Sequence, residues 1–147
     1  MKNTKRTQSG RSMIEMVGVL AVMGLITAGA FVLITTGMQS QKRSRIADEV
    51  SAIVTEMQSV DLTQLGTTAS ADGTSFLSEL KLPTNSGMGN YTVWKNGSNG
   101  FYVGILNMSN KDCSALAMRD WANSSGDATC SGSDDAKTLQ IPYVKMD

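Results

Sequence analysis

"SGRSMIEMVGVLAVMGL", residues 9–25, decides how this chain is built. A polar, basic leader runs into a long apolar stretch, and one carboxylate, Glu15, stands near its start. Residues 16–38 carry no charge. About 20 apolar residues cross a bilayer as a helix, so the run is long enough to span one. A carboxylate at the edge of such a segment is costly unless it has a partner.

Outward from this stretch the chain is asymmetric. The formal net charge of the 147 residues is zero, yet Lys2, Lys5, Arg6 and Arg11 crowd the N-terminus without an acid. From Ile46 onward acids outnumber bases. An acidic outer part argues against nucleic acid bound directly by a basic patch. The absence of histidine rules out histidine catalysis, and nothing else in the composition points to an enzyme or a cofactor. Cys113 and Cys130 are the only cysteines. If that part is exported, one disulfide is the economical reading and two buried thiols the alternative. A Cys-only metal site needs more ligands than these.

Four zones follow from the pattern. Residues 1–10 are a short basic leader, 11–38 the apolar segment, 39–65 an amphipathic helix, and 66–147 a Gly-, Ser- and Asn-rich head. In the third zone Ile46, Val50, Ile53, Val54, Met57 and Val60 recur on one helical face. No proline interrupts residues 11–65, so one continuous helix of roughly 75 Å is expected at 1.5 Å per residue. In the head, "GTTASADGTS" reads as a loop, and "FLSELKLP" fits a short helix or a strand. "YTVWK" and "GFYVGILN" around "NGSN" predict a β-hairpin. "CSALAMRDWANS" predicts a short helix and "TLQIPYVKM" a last strand. Pro142 in that strand calls for an edge position or a bulge. The sum is an α+β chain: a long N-terminal helix packed on a small antiparallel sheet. Trp94, Phe101, Tyr102 and Trp121 are expected in the core or on a sheet face rather than as surface adhesion groups.

The N-terminus admits three readings. A cleaved secretory signal has "AGA" at residues 28–30 as its cut site, but the "FVLITTG" that follows would leave an apolar new terminus. A signal anchor suits the cations before the span, although Lys42, Arg43 and Arg45 after it oppose that orientation. It leaves Glu15 without a role, and also the small residues Gly18, Gly24, Ala28, Gly29 and Ala30, which let helices approach closely.

The third reading is a resemblance. "G-RSMIE" resembles the cleavage motif of type IV prepilins, with Gly10 before the junction, Arg11 as the first mature residue and Glu15 as the fifth. Arg11 stands where the family usually carries an apolar residue. The resemblance implies that a dedicated prepilin peptidase cuts after Gly10 on the cytoplasmic side and methylates the amine of Arg11. The subunit then waits in the bacterial inner membrane until the pilus assembly machinery draws it into an extracellular filament of pilin subunits. Such filaments serve adhesion, aggregation, motility or DNA transfer. Glu15 would meet the Arg11 amine of an adjacent subunit and set axial register. Gly18, Gly24 and Gly29 would serve helix packing, with local melting at Gly24 and Gly29 as a second idea. Cys113 and Cys130 resemble the family's disulfide-bounded C-terminal region. The proline-free apolar helix is closer to type IVb pilins. Minor pilins and the periplasmic pseudopilins of type II secretion share the same N-terminus. From another class, a signal-anchored extracytoplasmic binding domain that never polymerises is the alternative. Glu15 also has a local reading. Ser12 and Glu15 form an S-x-x-E capping box, a first-turn carboxylate suits the helix dipole, and an exposed Arg11–Glu15 pair adds about 0.3–0.5 kcal/mol.

Overall fold

The computed structural model describes residues 11–146. The expected leader, with Gly10, lies outside them, as does the side chain of Arg11. The chain divides between Ser40 and Gln41 into two units. Helical backbone, α1, is assigned over Arg11–Met57 and contributes to both.

In the first unit the helix is apolar on every side. Met13–Ala30 has a mean hydropathy of 1.9, and none of its residues is buried. Ile14, Leu20 and Leu25 are all more than two-thirds exposed, at 78%, 67% and 77%. A helix without a polar face is stable only inside lipid or among other helices. Thr27 does not break the pattern, because its hydroxyl donates back to the Met23 carbonyl.

The second unit has a core of its own. Ile46, Val50, Ile53 and Met57 are buried along one face of α1, as their spacing predicts. Helical structure stops at Met57, short of Leu65. The remaining apolar residues follow a different path: Leu62 and Leu65 are buried at a 3-10 turn, Leu62–Gln64. Asp61 caps that turn by accepting from the Thr63 amide at 2.9 Å.

The rest is α2 (Ala71–Glu79), β1 (Asn90–Asn96), β2 (Gly100–Met108), α3 (Asn110–Ala117), β3 (Thr129–Ser133) and β4 (Ala136–Val144). The four strands form an antiparallel sheet in the order β1-β2-β4-β3. One face carries Tyr91, Val93, Phe101, Val103, Ile105, Leu139, Ile141 and Tyr143, in one cluster with the buried face of α1. The predicted hairpin is β1–β2, with Asn96 opposite Gly100 and Gly97 at φ 68° in the turn. Glycine takes that conformation without steric cost.

On the other face Trp94 lies opposite Tyr102 and stacks on it at 5.1 Å. Its ring also crosses Gly104, where a Cβ would come within 2.5 Å of it. The aromatic residues therefore serve packing, and Trp94, Phe101 and Trp121 are all buried.

Of the stretch expected as a loop, residues 66–70 are irregular, whereas residues 71–75 are the start of α2. Gly73 explains why. A Cβ at this position would overlap the Val93 carbonyl oxygen and Thr92 Oγ1, so glycine is what lets α2 approach β1. Strand β3, "TCSGS", was not predicted, because serine and glycine give it little strand propensity. β4 is not an edge strand as a whole. Pro142 nevertheless sits past the last β3 pair, Thr129↔Gln140, and its carbonyl accepts from the Ser125 amide at 2.9 Å. The side of β4 on which proline lacks a donor is thus free of a strand at that point.

One polar contact joins α1 to the sheet, and a second, exposed one within α1 supports it. Tyr91 Oη donates to Glu49 Oε2 at 2.8 Å, and Arg45 Nε donates to Glu49 Oε1 at 2.6 Å. Two outward amides of β1 are also taken: Tyr91 donates to the Thr84 carbonyl and Lys95 to that of Gly66, while Gly73 of α2 packs over Val93 between them.

Gly73→Ala is expected to destabilise the protein by about 1–3 kcal/mol, as overpacking does, despite the better helix propensity of alanine. The urea midpoint of the detergent-solubilised chain measures it. Burial pushes the Tyr143 phenol up to about 12, and burial followed by the bond to Glu49 pushes Tyr91 up as well. Unfolded tyrosine ionises near about 10, so the unfolded chain releases these protons first. Stability should be level below pH ~10 and fall as pH rises towards ~12. Tyr143→Phe should make that fall shallower in alkaline melts.

Candidate assembly surface and head contacts

Helix geometry places the apolar-segment residues singled out by the sequence. At about 100° per residue, Gly18 and Gly29 fall near the Glu15 side of the helix and Gly24 on the opposite side. Glu15, Gly18, Val19 and Val22 line a shallow open notch. Nothing lies within 4 Å of a Cβ built at Gly18, Gly24 or Gly29. The space that these glycines leave is therefore unused by the described chain itself. Glycine costs up to about 1 kcal/mol inside a helix, and no contact within the described chain offsets that cost at these three positions.

A capping box needs its serine at a non-helical cap position, whereas helical backbone already includes Ser12. Glu15 is exposed, and it is the one charged residue of Met13–Ala30.

In the head, Cys113 and Cys130 form a disulfide with a Cα–Cα distance of 6.1 Å. It ties the buried side of α3 to β3 and closes the loop that carries Trp121. Ser109 starts α3 as an N-cap: its hydroxyl accepts from the Asp112 amide at 3.2 Å and donates to Asp112 Oδ2 at 2.7 Å. Trp121 Nε1 donates to the Leu116 carbonyl at 3.1 Å. Beside it, the Arg119 guanidinium lies 5.8 Å from the Trp121 ring centroid. Arg119 Nη1 also donates to the Arg43 carbonyl at 3.1 Å. Arg43 Nε is buried and has no hydrogen-bond partner among the described residues.

The sequence pattern missed this Arg119–Arg43 contact. The two residues are 76 positions apart, and no periodicity signals a polar contact across such a distance. Among the described residues, no group of three His, Cys, Asp or Glu side chains is placed to hold a metal ion. Comparison of the sequence with protein-family models, with curated proteins and with solved structures gives no match.

Replacing both Cys113 and Cys130 by serine is expected to cost about 3 kcal/mol, the loop-closure value for a loop of this size at a sequence separation of 17. Denaturation of the oxidised chain and of the double variant, compared under non-reducing conditions, measures the difference.

Proposed function

We propose that this chain is a structural subunit of a type IV pilus, made as a prepilin, cut after Gly10 and polymerised through its apolar N-terminal helix. The observation that carries the reading is Glu15, a lone carboxylate at the head of an uncharged helical run and five positions after Gly10. The apolar helix with nothing buried against it and the small antiparallel head with its C-terminal disulfide support it.

The mechanism follows from where each face finds a solvent. Before assembly, lipid surrounds the apolar helix. In the filament, neighbouring helices replace lipid around the apolar segment. Apolar packing alone fixes axial register poorly, because sliding one helix past another changes little. A buried, unpaired Glu15 would cost several kcal/mol. Pairing it with the amine and guanidinium of Arg11 in an adjacent subunit removes that cost at one register only. Gly18 and Gly29 on the same side of the helix let a neighbour approach closely.

A minor pilin or a type II pseudopilin would use the same N-terminal chemistry, with the periplasm as the end point in the second case. A signal-anchored binding domain needs neither Glu15 nor the glycines.

N-terminal mass spectrometry of the mature protein is expected to find a methylated Arg11 at the start. An intact Met1, or a start at Phe31, would sink the proposal. Glu15→Ala and Glu15→Gln are expected to abolish filaments in cells without the unaltered subunit while the protein stays in the membrane fraction. Normal filaments from either variant would refute the register role.

A further inference from the structure

A cationic cluster marks the start of the head. Lys42 and Arg45 are exposed on α1, and Arg119 is exposed at the end of α3. The bond from Arg119 to the Arg43 carbonyl brings the two elements together. Glu49 answers Arg45, and Asp120 follows Arg119 in sequence. With the exposed Asp48 of α1 there are three acids, and the four cations Lys42, Arg43, Arg45 and Arg119 leave the cluster a net charge of +1, on a head that is otherwise acidic. Next to Arg119 stands Met118, 87% exposed, the most exposed large apolar side chain recorded. An exposed apolar side chain next to a cation, on an element joined to a cationic stretch of helix, has the chemistry of a membrane-surface contact: the methionine enters the acyl boundary and the cations meet phosphates.

Two further observations identify the occupant. Lys42 follows Met38, the end of the apolar run, by four residues, or about 6 Å of helical rise. Connectivity alone therefore places it at headgroup depth whenever the run spans a bilayer. Cations on the exported flank of a span also oppose the usual charge bias, so they call for a compensating anion.

We infer that Lys42, Arg43, Arg45, Met118 and Arg119 form a contact with an anionic phospholipid surface, which holds the head against the membrane before assembly. The inference rests on the membrane-spanning part of the proposed function, not on polymerisation. It adds a step to assembly: the contact has to be released before the subunit leaves the bilayer.

The test uses the full chain with Met118→Cys. The native cysteines are bridged and no free thiol is present among the described residues, so an environment-sensitive fluorophore labels position 118 alone. The chain is reconstituted into vesicles of phosphatidylcholine, with and without phosphatidylglycerol. The expected result is a blue shift, with quenching by a lipid-borne quencher, only when phosphatidylglycerol is present. High salt should reverse both signals, since exposed charges are screened. Lys42→Gln combined with Arg119→Gln should remove most of the quenching. A label that stays in water in both vesicle types overturns the inference. So does a shift that is equal in both, or one that follows protein density rather than lipid charge, which would point to a second copy of the chain. Flotation of the same samples separates the two levels. A chain that floats with a wet label overturns this contact alone, and a chain that does not float overturns the membrane reading with it.

Discussion

An apolar helix with no polar side cannot be satisfied by its own chain. Every large side chain recorded between Met13 and Met38 is more than half exposed, and at roughly 25 cal/mol per Å² of apolar surface this is a large unmet demand for burial. The head completes its own core without drawing on this segment. The chain therefore has one unit that folds by itself and one that needs a surrounding phase or partner. That division shapes the rest: the core of the head does not depend on which apolar environment surrounds the helix.

Within that frame, specificity falls to the few residues that are not interchangeable. Leucine, valine and isoleucine on the apolar helix contribute area but little directional information. A carboxylate contributes direction, because its energy depends steeply on what stands opposite. Glycines contribute shape, since only they permit backbone-to-backbone approach. This is why a reading of the N-terminal helix turns on Glu15, Gly18 and Gly29 rather than on its many apolar neighbours.

How much of this was legible in the sequence differs from element to element. The buried face of α1 in the head was readable because a helix repeats its core positions at fixed spacing, and Ile46, Val50, Ile53 and Met57 keep it. The β1–β2 hairpin was readable from aromatic and β-branched runs around a Gly/Asn turn. The first half of α2 was not, because Gly73 and its polar neighbours have the composition of a loop and only the nearness of Val93 makes glycine a packing residue. β3 was hidden for a similar reason: pairing with β4 and the disulfide at Cys130 hold it, not its own propensity. The end of α1 at Met57 was missed because Leu62 and Leu65 continue the apolar pattern while being buried from a 3-10 turn. Of the candidate site, the one-dimensional features at Glu15 and the glycines were visible, whereas the contact between Arg119 and Arg43 exists only through the fold.

The covered edge of β1 has a consequence for how two copies of this chain can meet. A free strand edge is a template on which any other chain can add a strand. Here Thr84 and Gly66 occupy the amides of Tyr91 and Lys95, and the opposite edge strand, β3, is only 5 residues long. Heads crowded side by side thus find little backbone to pair with. Sheet-to-sheet growth is thereby disfavoured, and any contact between two heads is left to side chains, where it can be weak, reversible and selective.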